Sequence, residues 1–296
     1  MLEFHTCDVF TETAFTGNPL AIVLGADGLT DAQMQTIARE FNLSETIFVQ
    51  APANPNHTAR VRIFFPTAEI PFAGHPTIGC AIHLATTAHS GDFTAHLVLE
   101  EEAGLVPVTV TRRAGKIVAE FTAPVLPHAT EGRITPELAA AALGLRQDQI
   151  GFDSHRPNVW QGGPRFAYIP IASLHSLAAA KPHEPHWSAL MQAASVDSAY
   201  LYTRGTDADY QARMFSPTAG IPEDPATGSA SAILAAQLQA AGKIRAGETA
   251  LTLRQGIEMG RPSTIGLTIQ ASDHGLTAIK IKGSAVPISE GRIHLP

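Results

Sequence analysis

The chain has few cysteines and no excess of positive charge. Its 296 residues include two cysteines, Cys7 and Cys80. Two are too few for a disulfide framework or a cysteine-rich zinc site, and they fit a reducing compartment. The formal net charge of −7 supplies no basic surface, so neither nucleic acid nor an anionic membrane is an expected partner. The length suits two domains of medium size, each able to bury its own core.

Other common sequence signals are also missing. The apolar segment 229–241 is too short for a bilayer, whose core takes about 20 helical residues. Met1–Cys7 contains no basic region followed by an apolar run, so we expect no signal peptide and a cytoplasmic protein. There is no Gly-rich phosphate loop or dinucleotide fingerprint, and His183–His186 contains a proline and lacks metal-site spacing. We therefore expect no cofactor and no metal.

The strongest positive signal is an internal repeat. Arg62–Pro71 returns as Arg213–Pro222, 151 residues later, with seven of ten positions identical and no gap. Each copy runs through a Gly-containing turn into a segment of small and apolar residues, 78–85 in the first copy and 229–238 in the second. A helix that is apolar on nearly all sides must be buried. The repeat therefore predicts two copies of one architecture, each built around a buried helix.

The remaining pattern favours an α+β fold with mostly antiparallel strands, because strands and helices alternate without a long parallel βαβ series. The segment 123–132 contains two prolines and a glycine and is the predicted linker. It separates two pseudo-symmetric domains, 1–125 and 126–282, and leaves open whether 283–296 completes the first. We expect the active site in the cleft between them, where the unpaired N–H groups of the helix N-termini suit an anionic group.

Glu45 is the candidate acid/base. It begins an apolar strand and lies between Leu43 and Ile47. A carboxyl group against apolar walls loses hydration, so its pKa rises from about 4.3 towards the range useful for proton transfer. The alternative is a surface glutamate at the start of a strand, which is the commoner case. The acidic run Glu100–Glu102 is interpreted as a solvated strand end.

Three further polar residues lie beside the predicted buried helices. His75 precedes the first helix, and its imidazole suits either a hydrogen bond to substrate or a proton relay. Asp224 and Ser229 occupy the corresponding turn of the second copy. The alternatives are a histidine bonded to backbone, a helix cap at Asp224 and a serine that only permits tight packing. Polar side chains at the mouth of both helices favour the functional interpretation.

Five pieces of the sequence, in this order, resemble the PhzF family of phenazine-biosynthesis isomerases and their relatives. They are Phe15–Pro19, Asn42–Glu45, Pro71–Pro76, Glu223–Ala230 and Gln255–Pro262. The resemblance runs nearly end to end. It implies the diaminopimelate-epimerase-like fold, in which each of two similar domains is a curved, mostly antiparallel sheet around a central helix. It also implies a homodimer that needs no cofactor and acts on a small-molecule carboxylate.

The resemblance implies roles for individual residues. Glu45 takes the place of the acid/base that moves a proton between carbons of a cyclohexadiene carboxylate. The residues that would hold the substrate and assist the transfer are His75, Asp224 and Ser229. The backbone at Gly74 and Gly228 would approach the substrate, and we assign the neighbouring motif residues Asn18, Ser44 and Thr227 to substrate binding.

Two alternatives stay open. One is a racemase or epimerase with two carboxylates, because Asp197 lies within a residue of the position in the second copy that corresponds to Glu45. Racemisation by two thiols is disfavoured, because Ala73 and the Asp224-Pro225 step hold the places of the thiols. The other alternative is a non-catalytic metabolite-binding or interaction protein, since function depends on the site and not on the fold. The substrate, and any link with phenazines, are left open.

Overall fold

The computed structural model describes residues 1–296. Its helices are α1 (Asp31–Phe41), α2 (Gly74–Ala88), α3 (Pro136–Leu143), α4 (Leu174–Ala179), α5 (His186–Ala194) and α6 (Gly228–Ala240). Its strands are β1 (Leu2–Val9), β2 (Asn18–Val23), β3 (Glu45–Gln50), β4 (Ala59–Phe64), β5 (Glu69–Ile70), β6 (Phe93–Glu101), β7 (Gly104–Arg113), β8 (Lys116–Thr122), β9 (His128–Ala129), β10 (Asn158–Gln161), β11 (Arg165–Pro170), β12 (Ala199–Arg204), β13 (Tyr210–Ser216), β14 (Ile221–Asp224), β15 (Gly247–Gln255), β16 (Ser263–Ser272), β17 (Gly275–Gly283) and β18 (Ala285–Ile293). No helix combines the length and the apolar character that crossing a membrane requires.

The chain forms two compact units. Unit 1 comprises Met1–Pro124, Arg261–Thr264 and Lys280–Pro296, and unit 2 comprises Val125–Gly260 and Ile265–Ile279. Unit 1 therefore includes 261–264 and 280–282 in addition to the C-terminal residues whose placement the sequence left open. Strand β18, which the sequence analysis did not predict, pairs antiparallel with β1.

The sheet of unit 1 curves around α2. Strand β2 is parallel to β3 and antiparallel to β1, and β4 is antiparallel to β3 and β5 and parallel to β6. Strands β6, β7 and β8 form an antiparallel series, and β8 pairs with the end of β17. Helix α2 packs against β1–β3, β6–β8 and β18. Because a flat sheet cannot reach all sides of one helix, this packing confirms the predicted sheet around a central helix.

Helix α1 follows its sequence signals closely. Thr30 and Gln33 form a capping box at its start, and Asn42 ends it in the left-handed conformation. Its buried face, Met34, Ile37 and Ala38, packs against β3 and β4 in a hydrophobic cluster, with Phe41 partly buried beside it. The sequence predicts a helix from the Thr30-Asp31 cap to about Phe41 with these four residues on one face, and the structure confirms it.

Helix α2 begins at Gly74, four residues earlier than predicted. Pro76 is compatible with this position because the N–H groups of the first helical turn have no partner inside the helix. His75 is therefore a residue of the first helical turn and does not precede the helix. Gly79 allows close packing, since a Cβ atom there would lie 2.6 Å from Leu20 Cδ2.

Unit 2 repeats the same succession of strand pairs. Strand β11 is antiparallel to β10 and parallel to β12, and β13 is antiparallel to β12 and β14 and parallel to β15. Strands β1–β6 of unit 1 pair in the same parallel and antiparallel order. Helix α6 is buried from Ala230 to Leu238, so the prediction of a second buried helix is confirmed.

The two copies differ by a three-residue insertion in the second. Arg62 and Arg213 each donate two hydrogen bonds to a carboxylate of the following short strand, Glu69 in unit 1 and Glu223 in unit 2. Seven residues separate the first pair and ten the second. The hairpin between β13 and β14 is therefore longer, and the offset between copies changes from 151 to 154 after Ala68.

Because of this insertion, two correspondences proposed from the gapless alignment are wrong. Asp224 corresponds to Ile70, because each lies opposite the equivalent residue of the preceding strand. Ala73 corresponds to Thr227, since each is the N-cap of its central helix, and not to the Asp224-Pro225 step. His75 and Ser229 are therefore true counterparts, each being the second residue of its helix.

Candidate active site

Glu45, His75 and Asn18 meet at one edge of the unit 1 sheet. Glu45 is the first residue of β3, Asn18 is the first residue of β2, and the two strands are parallel. Their starts therefore share an edge, and the N-terminus of α2 brings His75 to it. His75 Nδ1 lies 3.3 Å from Glu45 Oε2 and 3.3 Å from Asn18 Nδ2. All three side chains are buried, with Glu45 only 6% exposed, so the alternative of a surface glutamate is wrong.

His75 is neutral in this environment. Burial lowers the pKa of His75 to about 3, while a hydrogen bond between the ring and the Pro19 backbone acts in the opposite direction. A neutral imidazole carries one N–H. With the proton on Nδ1, the ring donates to Glu45. With the proton on Nε2, Nδ1 accepts from Asn18 or from a protonated Glu45. The contact therefore allows a hydrogen bond to Glu45 in either protonation state of the carboxyl group, with His75 neutral in both.

The neutrality of His75 gives a direct prediction. Its ring signals in heteronuclear NMR are expected to stay constant from about pH 5 to 7, where free histidine in the same tube changes its charge. An unfolded histidine binds a proton below about pH 6.5, whereas folded His75 does not. Its contribution to the free energy of unfolding therefore falls as the pH decreases from about 6.5 towards 3. A His75 ring that titrates with free histidine would contradict its burial.

The loop that carries Asn18 is held by a residue far along the chain. Arg261 donates to the Asp8 carboxylate at 2.5 Å and to the backbone carbonyls of Thr16 and Gly17. Gly17 has φ +72°, and a Cβ atom there would meet the Val9 carbonyl at 2.4 Å. The loop can therefore take its shape only with glycine at this position. Arg261 lies in the sequence piece Gln255–Pro262, where the sequence predicts no role for it.

In unit 2 the turn before α6 is fixed by Gln255. Thr227 Oγ1 donates to Asp224 Oδ2 at 2.5 Å, and the Thr227 N–H donates to Gln255 Oε1 at 3.1 Å. Gln255 Nε2 donates to the Asp224 carbonyl at 2.8 Å and lies 3.0 Å from Thr227 Oγ1. Gln255 is fully buried and Asp224 is 4% exposed. The structure thus brings together Asp224 and Thr227, and it adds Gln255, which was not predicted from the sequence.

The other predicted site residues lie at the starts of their elements. Ser44 is half-buried directly before β3, and Ser229 is half-buried as the second residue of α6. Gly74 and Gly228 are buried first residues of α2 and α6. The N–H groups of a first helical turn have no partner inside the helix, so these glycines carry donors that the helix itself does not satisfy.

The second copy has no counterpart of the Glu45 carboxylate. In strand register Glu45 corresponds to Ser198, because Thr46 pairs with Phe64 and Ala199 pairs with Phe215. The Ser198 hydroxyl lies 2.7 Å from the hydroxyl of Ser216. Asp197 is exposed. The suggested pseudo-symmetric carboxylate pair is therefore not present at equivalent positions.

Neither cysteine is poised to react as a thiolate. Burial raises the pKa of Cys7 to about 12, and burial also raises the pKa of Cys80 well above its usual value. Cys7 lies in β1 and Cys80 in the middle of α2. Since the thiolate is the reactive form, both residues act as small apolar side chains. No group of three or more His, Cys, Asp or Glu side chains is arranged to hold a metal ion.

The acidic run at the end of β6 is not a solvated strand end. Glu100 accepts hydrogen bonds from the N–H groups of Ala53 and Asn54 and contacts His57 at 2.7 Å. Glu101 is 7% exposed and contacts Thr77 in the first turn of α2. Glu102 alone is exposed. The sequence offered no local signal for this difference, because it depends on packing against distant segments.

Comparisons with known proteins agree with this architecture. A family model described as PhzC-PhzF, phenazine biosynthesis-like protein, matches residues 7–291. A protein of Mesorhizobium japonicum named as an uncharacterised isomerase is 42% identical over 97% of both chains. A trans-2,3-dihydro-3-hydroxyanthranilate isomerase of Pseudomonas aeruginosa is 34% identical over the full length of both.

Solved structures match the fold. A Bacillus anthracis protein of the PhzF family has a TM-score of 0.87 and 26% identity, with 99% of both chains covered. A probable proline racemase from Agrobacterium radiobacter has a TM-score of 0.69 and 14% identity, covering all of this chain and 94% of the other. The second likeness concerns the fold alone. Together they confirm the predicted fold class.

Proposed function

The chain belongs to the PhzC-PhzF family of phenazine biosynthesis-like proteins and is an isomerase, and from this premise we propose a specific reaction. It moves a proton between two carbons of a small, unsaturated cyclic carboxylate, with Glu45 as the acid/base. The observation that carries the proposal is the buried Glu45 carboxyl group 3.3 Å from a neutral His75.

The proposed reaction is balanced within the substrate and one side chain. The Glu45 carboxylate takes a proton from a ring carbon, and the electron pair of the broken C–H bond spreads over the conjugated system. Protonated Glu45 then returns the proton to a different carbon, which moves the double bonds. No oxidant, reductant or second substrate is consumed. Positioned acid/base chemistry of this kind contributes about 10²–10⁴-fold to the rate.

His75 and Asn18 would orient the Glu45 carboxyl group. A neutral imidazole stabilises either protonation state of Glu45, because Nδ1 can donate or accept. A charged imidazolium would instead favour the carboxylate and weaken Glu45 as a proton donor. The low pKa of His75 therefore supports a cycle in which Glu45 both takes and returns the proton.

We extend the proposal to residues of unit 2 on the basis of the family resemblance. Ser229 and the N–H groups at the start of α6 are suited to hold a carboxylate, with an electrostatic contribution of roughly 0.3–2 kcal/mol per helix end. Asp224 and Thr227 would bind polar substituents of the ring. These assignments predict that Ser229→Ala raises KM more than it lowers kcat.

The first substrate to test is trans-2,3-dihydro-3-hydroxyanthranilate, the compound in the names of the Pseudomonas relatives. The protein is incubated with it in D2O, and the ring protons are followed by ¹H NMR. Isomerisation with deuterium on a ring carbon is the expected result. Binding in a thermal-shift assay without isomerisation or exchange, for this compound and for related cyclic carboxylates, would favour a non-catalytic metabolite-binding protein.

A further inference from the structure

Glu101 and Gln255 are counterparts in the two units. In unit 1, β4 pairs in parallel with β6, with Arg60 opposite Glu100. In unit 2, β13 pairs in parallel with β15, with Gln211 opposite Arg254. Since Arg60 corresponds to Gln211, the next residues along β6 and β15, Glu101 and Gln255, correspond as well. Each is the last residue of the strand that follows its central helix.

Both side chains reach the N-terminus of the central helix of their own unit. Gln255 bonds to the N-cap residue Thr227. Glu101 Oε1 lies 2.7 Å from Thr77 Oγ1, in the first turn of α2. Thr77 corresponds to Ser231, and the hydroxyl of each is bonded to the carbonyl of its N-cap residue four positions earlier. Equivalent strand ends therefore reach the start of the central helix in both units, with the Gln255 amide at the N-cap residue and the Glu101 carboxyl group at the fourth helical residue.

The hydrogen bonds at the Thr77 hydroxyl indicate the protonation state of Glu101. Thr77 Oγ1 lies 2.7 Å from the Ala73 carbonyl and 2.7 Å from Glu101 Oε1, yet a hydroxyl group has one proton. When this proton goes to Ala73, the second contact is a hydrogen bond only if Glu101 carries a proton and donates it. In unit 2 the equivalent Ser231 has Tyr200 as its second partner, at 3.1 Å, and the Tyr200 hydroxyl brings its own proton.

The Thr77 hydroxyl matters for the first turn of α2 because the backbone bond there is long. The Thr77 N–H lies 3.4 Å from the Ala73 carbonyl, whereas the corresponding bond from Ser231 to Thr227 is 2.9 Å. The bridge from Thr77 to Ala73 spans His75. Loss of the hydroxyl bond to Ala73 would therefore loosen the turn that holds the imidazole against Glu45.

We propose that Glu101 is a positioning residue that acts as a neutral, protonated acid: it donates to Thr77, leaves the Thr77 proton for the Ala73 carbonyl, and so fixes His75. When Glu101 ionises, its carboxylate attracts the Thr77 proton away from Ala73, and the first turn of α2 loses its side-chain bridge. In unit 2 the Tyr200 hydroxyl takes the corresponding place beside Ser231.

The surroundings of Glu101 favour the neutral form. Burial raises the pKa of Glu101 to about 8, against an opposing hydrogen bond from Thr77, and no cationic side chain contributes. The titratable neighbour on α2 is Cys80, whose pKa is raised by burial and by the charge of Glu101. On its own strand, Glu100 is bonded to other segments and Glu102 is exposed. Nothing facing Glu101 offsets a negative charge.

The activity test rests on the proposed function and uses the isomerase assay described above. For the wild type, kcat/KM is expected to fall about tenfold per pH unit above the pKa of Glu101. Glu101→Gln should keep the activity near neutral pH within a few-fold and lose this alkaline decline, because the amide replaces the neutral acid. Glu102→Gln, the same change at the exposed neighbour, should retain the wild-type profile. An equal alkaline decline in the wild type and in Glu101→Gln would overturn the proposal.

A second measurement is independent of any activity. In protein labelled with ¹³C at the glutamate carboxyl carbon, the Glu101 signal, identified by its absence in Glu101→Gln, is expected to titrate near pH 8. The His75 ring signals should shift in the same pH range in the wild type and stay constant in Glu101→Gln. Titration of the Glu101 carbon near pH 4.5 would overturn the proposal even if the isomerase activity were found, and titration near pH 8 would support it even if the substrate were wrong.

Variants of Thr77 test whether the ionisation of Glu101 affects His75 through the Thr77 hydroxyl. Thr77→Val removes the hydroxyl at nearly constant volume, and Thr77→Ser retains it. Thr77→Val should uncouple the His75 signals from the ionisation of Glu101, while Thr77→Ser should preserve the coupling. A His75 shift near pH 8 that persists in Thr77→Val would show that Glu101 acts by another route.

Discussion

Replacing Glu45 by glutamine is expected to lower kcat by about 10²–10⁴-fold, the contribution of a positioned acid/base, while changing KM little. The amide has nearly the shape of the carboxyl group, so the buried space at the start of β3 stays filled. It can still accept or donate at His75, but it cannot take a proton from carbon. The measurement is isomerisation and deuterium incorporation in D2O, followed by ¹H NMR.

Glu40→Gln is the matched control for this variant. Glu40 is an exposed residue of the same unit, on α1, and its replacement makes the same change of charge. Equal melting temperatures of the two variants would separate loss of catalysis from loss of the fold. Native rates of both isomerisation and proton exchange in Glu45→Gln would show that Glu45 is not the acid/base and that another buried acid serves as the base.

The sequence predicted those elements whose signals are local. Helix α1 was predictable because a cap, an apolar spacing of three and four residues, and an asparagine C-cap lie within a dozen positions. Strand β18 was missed because Pro287 and Gly291 interrupt its pattern. Its partner β1 shifts register between Thr6 and Cys7, and Cys7 is the residue opposite Pro287. Thr6 pairs with Ser289 and Cys7 with Pro287, so Ile288 is an extra residue and the irregularity that hides the strand is a bulge in β18 itself.

The candidate site likewise contains residues with a local sequence signal and residues without one. Glu45 was predictable because an acid at the start of an apolar strand stands out in its own neighbourhood. Gln255 acts on Thr227, 28 residues away, and Glu101 acts on Thr77, 24 residues away, so both roles depend on parallel strand register. The correspondence between Glu101 and Gln255 was also not visible in the gapless repeat. Ile70-Pro71 is identical to Ile221-Pro222, so the alignment at an offset of 151 continues past the three-residue insertion.

Replacing Arg213 by methionine is expected to destabilise unit 2 by about 3–5 kcal/mol, the usual cost of breaking a buried ion pair. The Arg213 side chain is 6% exposed and donates two hydrogen bonds of 2.8 Å to Glu223. It also donates to the carbonyls of Leu177 and Ala180 at the C-terminal end of α4. Methionine fills much of the volume but leaves the Glu223 charge and these carbonyls without their donor.

The repeat supplies the matched control for this prediction. Arg62 makes the equivalent bidentate contact with Glu69 in unit 1, but the Glu69 side chain is 27% exposed. The second partner of Arg62, Asp31, is 83% exposed. Arg62→Met should therefore cost about 1 kcal/mol or less, as is usual for exposed ion pairs. Urea unfolding measures both variants by far-UV circular dichroism, and tryptophan fluorescence reports unit 2 separately, because both tryptophans lie there. An equal decrease in the free energy of unfolding in the two variants would contradict this prediction. It would mean that the bidentate geometry determines the stabilisation and that burial of the ion pair contributes little.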